Sequence, residues 1–182
     1  NCSIKSSILS MLIEKMPPGI EVLGVHTMFG GSVVSLSSEN IIITKTDKSG
    51  KKAEAFEDLL YKYGAKIAHV SEVDHDTSVS YLQSLLHLVI LSFGDTLAHV
   101  EGGKKSVDAL STPNSRKAFE ILERIISQSD DLLCDMQRIN EQAPALRNRY
   151  LEKVFLLVQQ LNQGDVLGLK ETIKRVRESL DS

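Results

Sequence analysis

The sequence predicts two architectures in series: an α/β portion over residues 1–70 and an all-helical portion over residues 71–182. Three observations carry this. Helical and strand-like stretches alternate as far as Val70, which predicts α/β layering around a largely parallel sheet. No convincing strand follows Val73. A long helix expected over residues 77–100 is apolar almost all round in its middle, "LLHLVIL". A helix with no polar face needs cover on every side, and the core of a dimer is one way to supply it.

The elements follow in order. Ser6 to Met16 reads as an amphipathic helix with Ile8, Leu9, Leu12 and Ile13 on one stripe, stopped by Pro17-Pro18-Gly19. Glu21 to His26 reads as a strand, and so does the β-branched run "NIIITKT" from Asn40 to Thr46. After the polar turn "DKSGKK", Ala53 to Tyr63 is a helix with Phe56, Leu59, Leu60 and Tyr63 on one face. Gly64 stands at its C-terminal cap, and "AKIAHV" gives a third strand. The boundary between the portions falls in "SEVDHD". Beyond the long helix, Asn114 is a plausible N-cap for a helix from Ser115 to Ser127, and a further helical stretch covers Asp130 to Asn140. Pro144 marks a new start for Ala145 to Asn162, with Leu151, Val154, Phe155, Val158 and Leu161 on a stripe. Gly164 ends that helix, and Asp165 caps the last, Val166 to Leu180.

Composition narrows the function. At 42% hydrophobic and 25% charged, the chain has the make-up of an ordinary soluble protein. With 21 Lys and Arg against 24 Asp and Glu there is no basic excess, so nucleic acid is not an expected partner. The run Leu85 to Phe93 is too short to span a bilayer, and no signal peptide is expected, so a membrane is not expected either. Cys2 and Cys134 lack metal-ligand spacing and read as reduced thiols of a cytoplasmic protein. No G-x-G occurs anywhere, so neither a dinucleotide fingerprint nor a Walker A loop is present. Three strands are few for a doubly wound sheet, and the chain opens on "NCSIK" without an initiator Met. Both fit a sheet whose opening βαβ units lie upstream.

The chemistry-bearing residues are few. His26 closes a strand in "VLGVHTMFGG", before a turn of small residues. Taken alone, it reads as a core histidine before it reads as a base. Ser3 precedes a helix and by itself reads as a cap. His75-Asp76 has the look of a metal-binding pair, as in metal-dependent phosphohydrolases. His87, twelve positions on, is too far along a continuous helix to share one ion, so no metal is expected. His87 sits in the most apolar segment and needs a hydrogen-bond partner, either in the core or in a substrate pocket. Arg116 follows "LSTPNS" in the first turn of a helix, and reads either as a solvated surface arginine or, with the exposed backbone N–H groups there, as a carboxylate receptor.

As an ordered set, "NCSIK", "LGVHTMFGG", "VDHDTSVSYLQSLLHLV" and "LSTPNSRKAFE" resemble the prephenate dehydrogenase family of tyrosine biosynthesis. That family shows D-x-x-S-x-K, then H-P-M-F-G-P or H-P-I-A-G. It continues with H-D at the start of a long helix, Y-x-Q-x-L-x-H-F along it, and an S-S-P-x-Y-R-like turn. The resemblance implies that residues 1–70 are the C-terminal part of a Rossmann-type nucleotide-binding domain. Residues 71–182 would be a helical dimerisation and substrate-binding domain in a homodimer. It implies NAD or NADP as cofactor and prephenate or arogenate as substrate. It makes His26 the catalytic base and places Ser3 beside nicotinamide and substrate hydroxyl. It makes Arg116 the carboxylate ligand and matches Gln83 and His87 to recurrent positions near substrate. His75 would be structural, at the hinge. Thr27 and Gly31 replace prolines of the pattern, which loosens the turn after His26. Other readings are a non-catalytic dimerisation or regulatory module binding an aromatic acid, the metal phosphohydrolase, and a β-hydroxyacid dehydrogenase. The last usually carries a lysine base on the long helix, and none lies between Asp76 and Val100.

Overall fold

In a computed structural model, which describes residues 3–31 and 33–181, branched aliphatic residues build a small three-stranded sheet. The strands are β1 (Leu23–Thr27), β2 (Asn40–Lys45) and β3 (Lys66–His69), in the order β1-β2-β3. β2 and β3 are parallel, joined by the crossover helix α2 (Lys51–Lys62). β1 and β2 are antiparallel, with His26 opposite Ile42, which corrects the expectation of a largely parallel sheet. The described residues of the link between them, 28–31 and 33–39, carry no helix, and a parallel pair needs a crossover of a dozen or more residues, usually helical.

Ile41, Ile43, Leu60 and Ala65 form the buried cluster, with Leu23, Val25 and Ile67 packed around it. Each fully buried isoleucine contributes about 1.5–3 kcal/mol. Because strand side chains alternate, Leu23 and Val25 face this cluster, while Gly24 and His26 face the opposite side. There α1 (Ser6–Lys15) lies close: a Cβ on Gly24 would stand 3.0 Å from Leu9 Cδ1 and 3.2 Å from Lys5 Cδ.

Side chains distant in sequence cap the first two helices. The backbone N–H groups of Lys5 and Ser6 donate to Asp76 Oδ1 (2.7 Å) and Oδ2 (2.8 Å). Lys5, rather than Ser3, is therefore the N-cap position of α1, and a carboxylate seventy residues on does the capping. Glu21 accepts from the backbone N–H of Gly50, Lys52 and Ala53 at the start of α2, which holds its carboxyl below the usual range. The buried face of α2 is Ala53, Glu57 and Leu60; Phe56, Leu59 and Tyr63 are exposed, contrary to the expected stripe. Gly64 takes the left-handed conformation expected of a cap, with φ +79°.

The long helix starts earlier than the sequence suggests. Ser71 caps it by accepting from the Asp74 N–H, so His75 and Asp76 lie inside it. It runs as α3 (Glu72–Val79), a π-helical turn (Ser80–Leu85) and α4 (Leu86–Ala98). By length and composition alone these 27 residues are apolar enough to cross a membrane, and little of that surface is buried. The short α5 (Gly103–Asp108) was not expected. α6 (Pro113–Ile126) is capped by Thr112 in a reciprocal box with Ser115. Pro113 occupies the first helical position, which moves the cap two residues ahead of Asn114. α7 (Asp130–Arg138) grips the π-helical turn: Ser84 Oγ donates to Met136 O at 2.9 Å, and Gln137 Nε2 donates to Ser84 O at 2.7 Å.

These elements belong to one compact unit, residues 1–143; residues 144–182 form a second. The second unit holds most of α8 (Ala143–Gln163), and α9 (Val166–Leu180), with Gly164 at φ +67° and Asp165 accepting from the Gly168 N–H. The expected α8 stripe is exposed at Leu151, Phe155, Val158 and Leu161. Cys134 is an exposed free thiol; Cys2 lies outside the described residues.

Candidate active site

Three ionisable side chains from two distant parts of the chain meet on the α1 side of the sheet. His26, 5% exposed near the end of β1, places Nδ1 2.9 Å from Nε2 of His75 on α3. His75, 1% exposed, places its Nδ1 2.8 Å from Asp76 Oδ1. Asp76 is fixed in turn by the two amides at the start of α1. Asn140 Nδ2 donates to the Asp76 carbonyl at 3.0 Å, tying the chain two residues past α7 to the same point. The result is an unbroken chain of contacts from a gripped carboxylate to a strand-end imidazole.

Lys5 completes the cluster. It is fully buried, and its Nζ donates to the carbonyl of Val25 at 3.0 Å. Burial pushes the His26 pKa down to about 4, reinforced by the positive charge of Lys5 and by the neighbouring His75 ring, and partly offset by Asp76. At neutral pH His26 is an uncharged imidazole. Burial raises the Asp76 carboxyl, but hydrogen bonds from His75, Ser6 and Lys5 outweigh it and hold the group at about 2, so Asp76 is an anion.

The other expected residues do not join this cluster through any hydrogen bond or ion pair among the described residues. Ser3 is half-exposed, two residues ahead of Lys5. Gln83 lies in the π-helical turn and His87 one turn further on, in α4. Each carries a buried polar atom without a partner, Oε1 of Gln83 and Nδ1 of His87. Burial lowers the His87 pKa. Arg116 is exposed in the first turns of α6. Ser111, just before the α6 cap, has a buried Oγ without a partner and was missed by the sequence reading. Lys5 was not singled out either, although it stands at the lysine of the D-x-x-S-x-K pattern in "NCSIK". No group of three or more His, Cys, Asp or Glu among the described residues is arranged so that it could hold a metal ion.

Comparison with known proteins gives a consistent picture. Residues 71–175 match the family described as prephenate dehydrogenase, dimerization domain. A T-protein of Enterobacter agglomerans is 28% identical over 160 residues, 86% of this chain and 42% of the relative. A probable arogenate/prephenate dehydrogenase of Methanocaldococcus jannaschii is 26% identical over 183 residues, 99% of this chain and 41% of the relative. The chain thus spans about two fifths of the length of these curated relatives. The crystal structure of prephenate dehydrogenase from A. aeolicus with hydroxyphenyl propionate and NAD+ superimposes with a TM-score of 0.65 at 20% identity. It covers 98% of this chain and 65% of that one.

Proposed function

Because the chain belongs to the prephenate dehydrogenase family, we propose that it is the C-terminal portion of an NAD(P)-dependent dehydrogenase. The reaction is the oxidative decarboxylation of prephenate to 4-hydroxyphenylpyruvate. The observation that supports it best is His26, a buried, uncharged imidazole held by one ring nitrogen. A neutral imidazole is the form a general base requires.

His26 accepts the proton of the ring C4 hydroxyl as the C4 hydrogen departs as hydride. The electron pair of the breaking C–CO2 bond then aromatises the ring. The C4 oxygen takes the proton back as the phenol forms, so the products are 4-hydroxyphenylpyruvate, CO2 and reduced cofactor, with no net proton. The nicotinamide supplies the hydride acceptor. This chain offers Ser3 beside it, but the glycine fingerprint that cradles dinucleotide phosphates is absent from these residues. The 182-residue segment is therefore inactive by itself. Arg116 binds a substrate carboxylate from the start of α6. Gln83 and His87, each with an orphaned buried atom, supply further polar contacts to the substrate.

A second copy of the chain covers the apolar surface of α4, making the protein a homodimer. The same exposed helices favour a second reading, a dimerisation or regulatory module that binds an aromatic acid without turning it over. Prephenate-dependent reduction of NAD or NADP by the full-length protein decides between them. Turnover is expected; binding of an aromatic acid with no turnover would establish the module instead.

A further inference from the structure

Building on the reading of His26 as the base, we propose that Asp76 and His75 are positioning residues that fix its tautomer, with the proton on Nδ1 and the lone pair on Nε2. The assignment follows from donors and acceptors taken in order. Asp76 already accepts backbone N–H groups through both oxygens. As an anion it can only accept, so the His75 Nδ1 that faces it at 2.8 Å carries a proton. The His75 side chain is fully buried, and the buried ammonium of Lys5 lies in the same cluster. A second cation there would face a single carboxylate, and its desolvation would be uncompensated. His75 is therefore neutral, and its Nε2 is an acceptor.

His26 Nδ1, 2.9 Å away, must then be the donor. That leaves the lone pair on His26 Nε2, which has no hydrogen-bond partner among the described residues. The charged and titratable groups facing His26 are Lys5 from the segment before α1, and His75 and Asp76 from α3. The logic is that of a base oriented by a third group, here with one more imidazole interposed. If the chain of donors ran the other way, His26 would present an N–H to the substrate hydroxyl and could not take its proton.

The test is nitrogen NMR of the full-length protein labelled with 15N-histidine, with His26 assigned by its loss in His26→Gln. The expected spectrum shows His26 Nε2 unprotonated and Nδ1 protonated at neutral pH. In His75→Leu, which removes the acceptor, this preference relaxes toward a mixture. In His75→Gln, whose amide oxygen can accept from Nδ1–H, it persists. Turnover follows the same pattern: kcat falls about tenfold to hundredfold in His75→Leu with KM within about twofold, and His75→Gln recovers most of it. A wild-type His26 protonated on Nε2, or a His75 protonated on both nitrogens, overturns the proposal. So does a kcat that ignores the loss of the tautomer. Should His75→Leu not fold, the wild-type spectrum and His75→Gln still decide. The expected spectrum in a protein that does not oxidise prephenate would leave the tautomer assignment standing and overturn the assigned reaction alone.

Discussion

His26 titrates far below an ordinary histidine because folding removes it from water and sets it near Lys5. Its pKa of about 4 in the folded state, against 6.5 for the free side chain, makes folding pH-dependent in a definite window. Between those values the unfolded chain binds the proton and the folded chain does not. Stability is therefore complete above pH 6.5 and is lost as the pH falls toward 4. This one residue should cost roughly 2 kcal/mol between pH 7 and pH 5. Urea midpoints at the two pH values should show that loss in the wild type and a smaller one in His26→Gln. An equal loss in both would place the acid sensitivity elsewhere. In catalysis the same residue predicts a drop in kcat of about 10²–10⁴ for His26→Asn in the full-length protein, measured by prephenate-dependent NAD reduction; unchanged kcat would remove His26 from the chemistry. The sequence marked His26, His75 and Asp76 separately but not their contact. The two histidines are 49 positions apart, and no local spacing encodes a pair brought together by a strand and a helix.

Local punctuation made the elements legible. Pro17-Pro18, Gly64, Gly164 and Asp165 act within one turn of themselves, and their effects on the backbone are where the sequence placed them. The caps of α1 and α2 escaped notice because their carboxylates, Asp76 and Glu21, come from elsewhere in the chain. The π-helical turn has no residue signature either. It is held by α7 through Ser84, a contact spanning 52 positions. Sheet direction depended on what links β1 to β2, and residues 28–39 are long enough in sequence for either a loop or a crossover. One element-level prediction follows from the tight approach of β1 to α1. Gly24→Ala brings a methyl to 3.0 Å from both Leu9 Cδ1 and Thr44 Cβ. It should destabilise the fold by about 1–3 kcal/mol in urea unfolding and, in the full-length enzyme, lower kcat by displacing His26 two residues on. A neutral result would show that α1 gives way freely.

At the scale of the molecule, the unexplained surface is apolar and helical. Leu86 and Phe93 on α4, and Leu151, Phe155 and Leu161 on α8, are exposed in the single chain. Soluble monomers rarely leave so much apolar surface uncovered. Sedimentation equilibrium should return a dimer, and Phe93→Asp should weaken it measurably; a monomeric wild type at micromolar concentration would contradict the assignment of these faces to a second copy. The sequence did show this surface, because an all-round apolar helix is visible in composition alone. It could not show which residues the chain's own fold would leave uncovered.

One carboxylate does two jobs. Asp76 starts α1 by holding the amides of Lys5 and Ser6, and it anchors the imidazole that leads to His26. The integrity of the site can therefore be read without substrate or cofactor, from the deuterium uptake of those two amides. It also means that evolution or an engineer cannot retune the site through Asp76 without loosening the helix that begins there. Thermal endurance and catalytic adjustment draw on the same two oxygens.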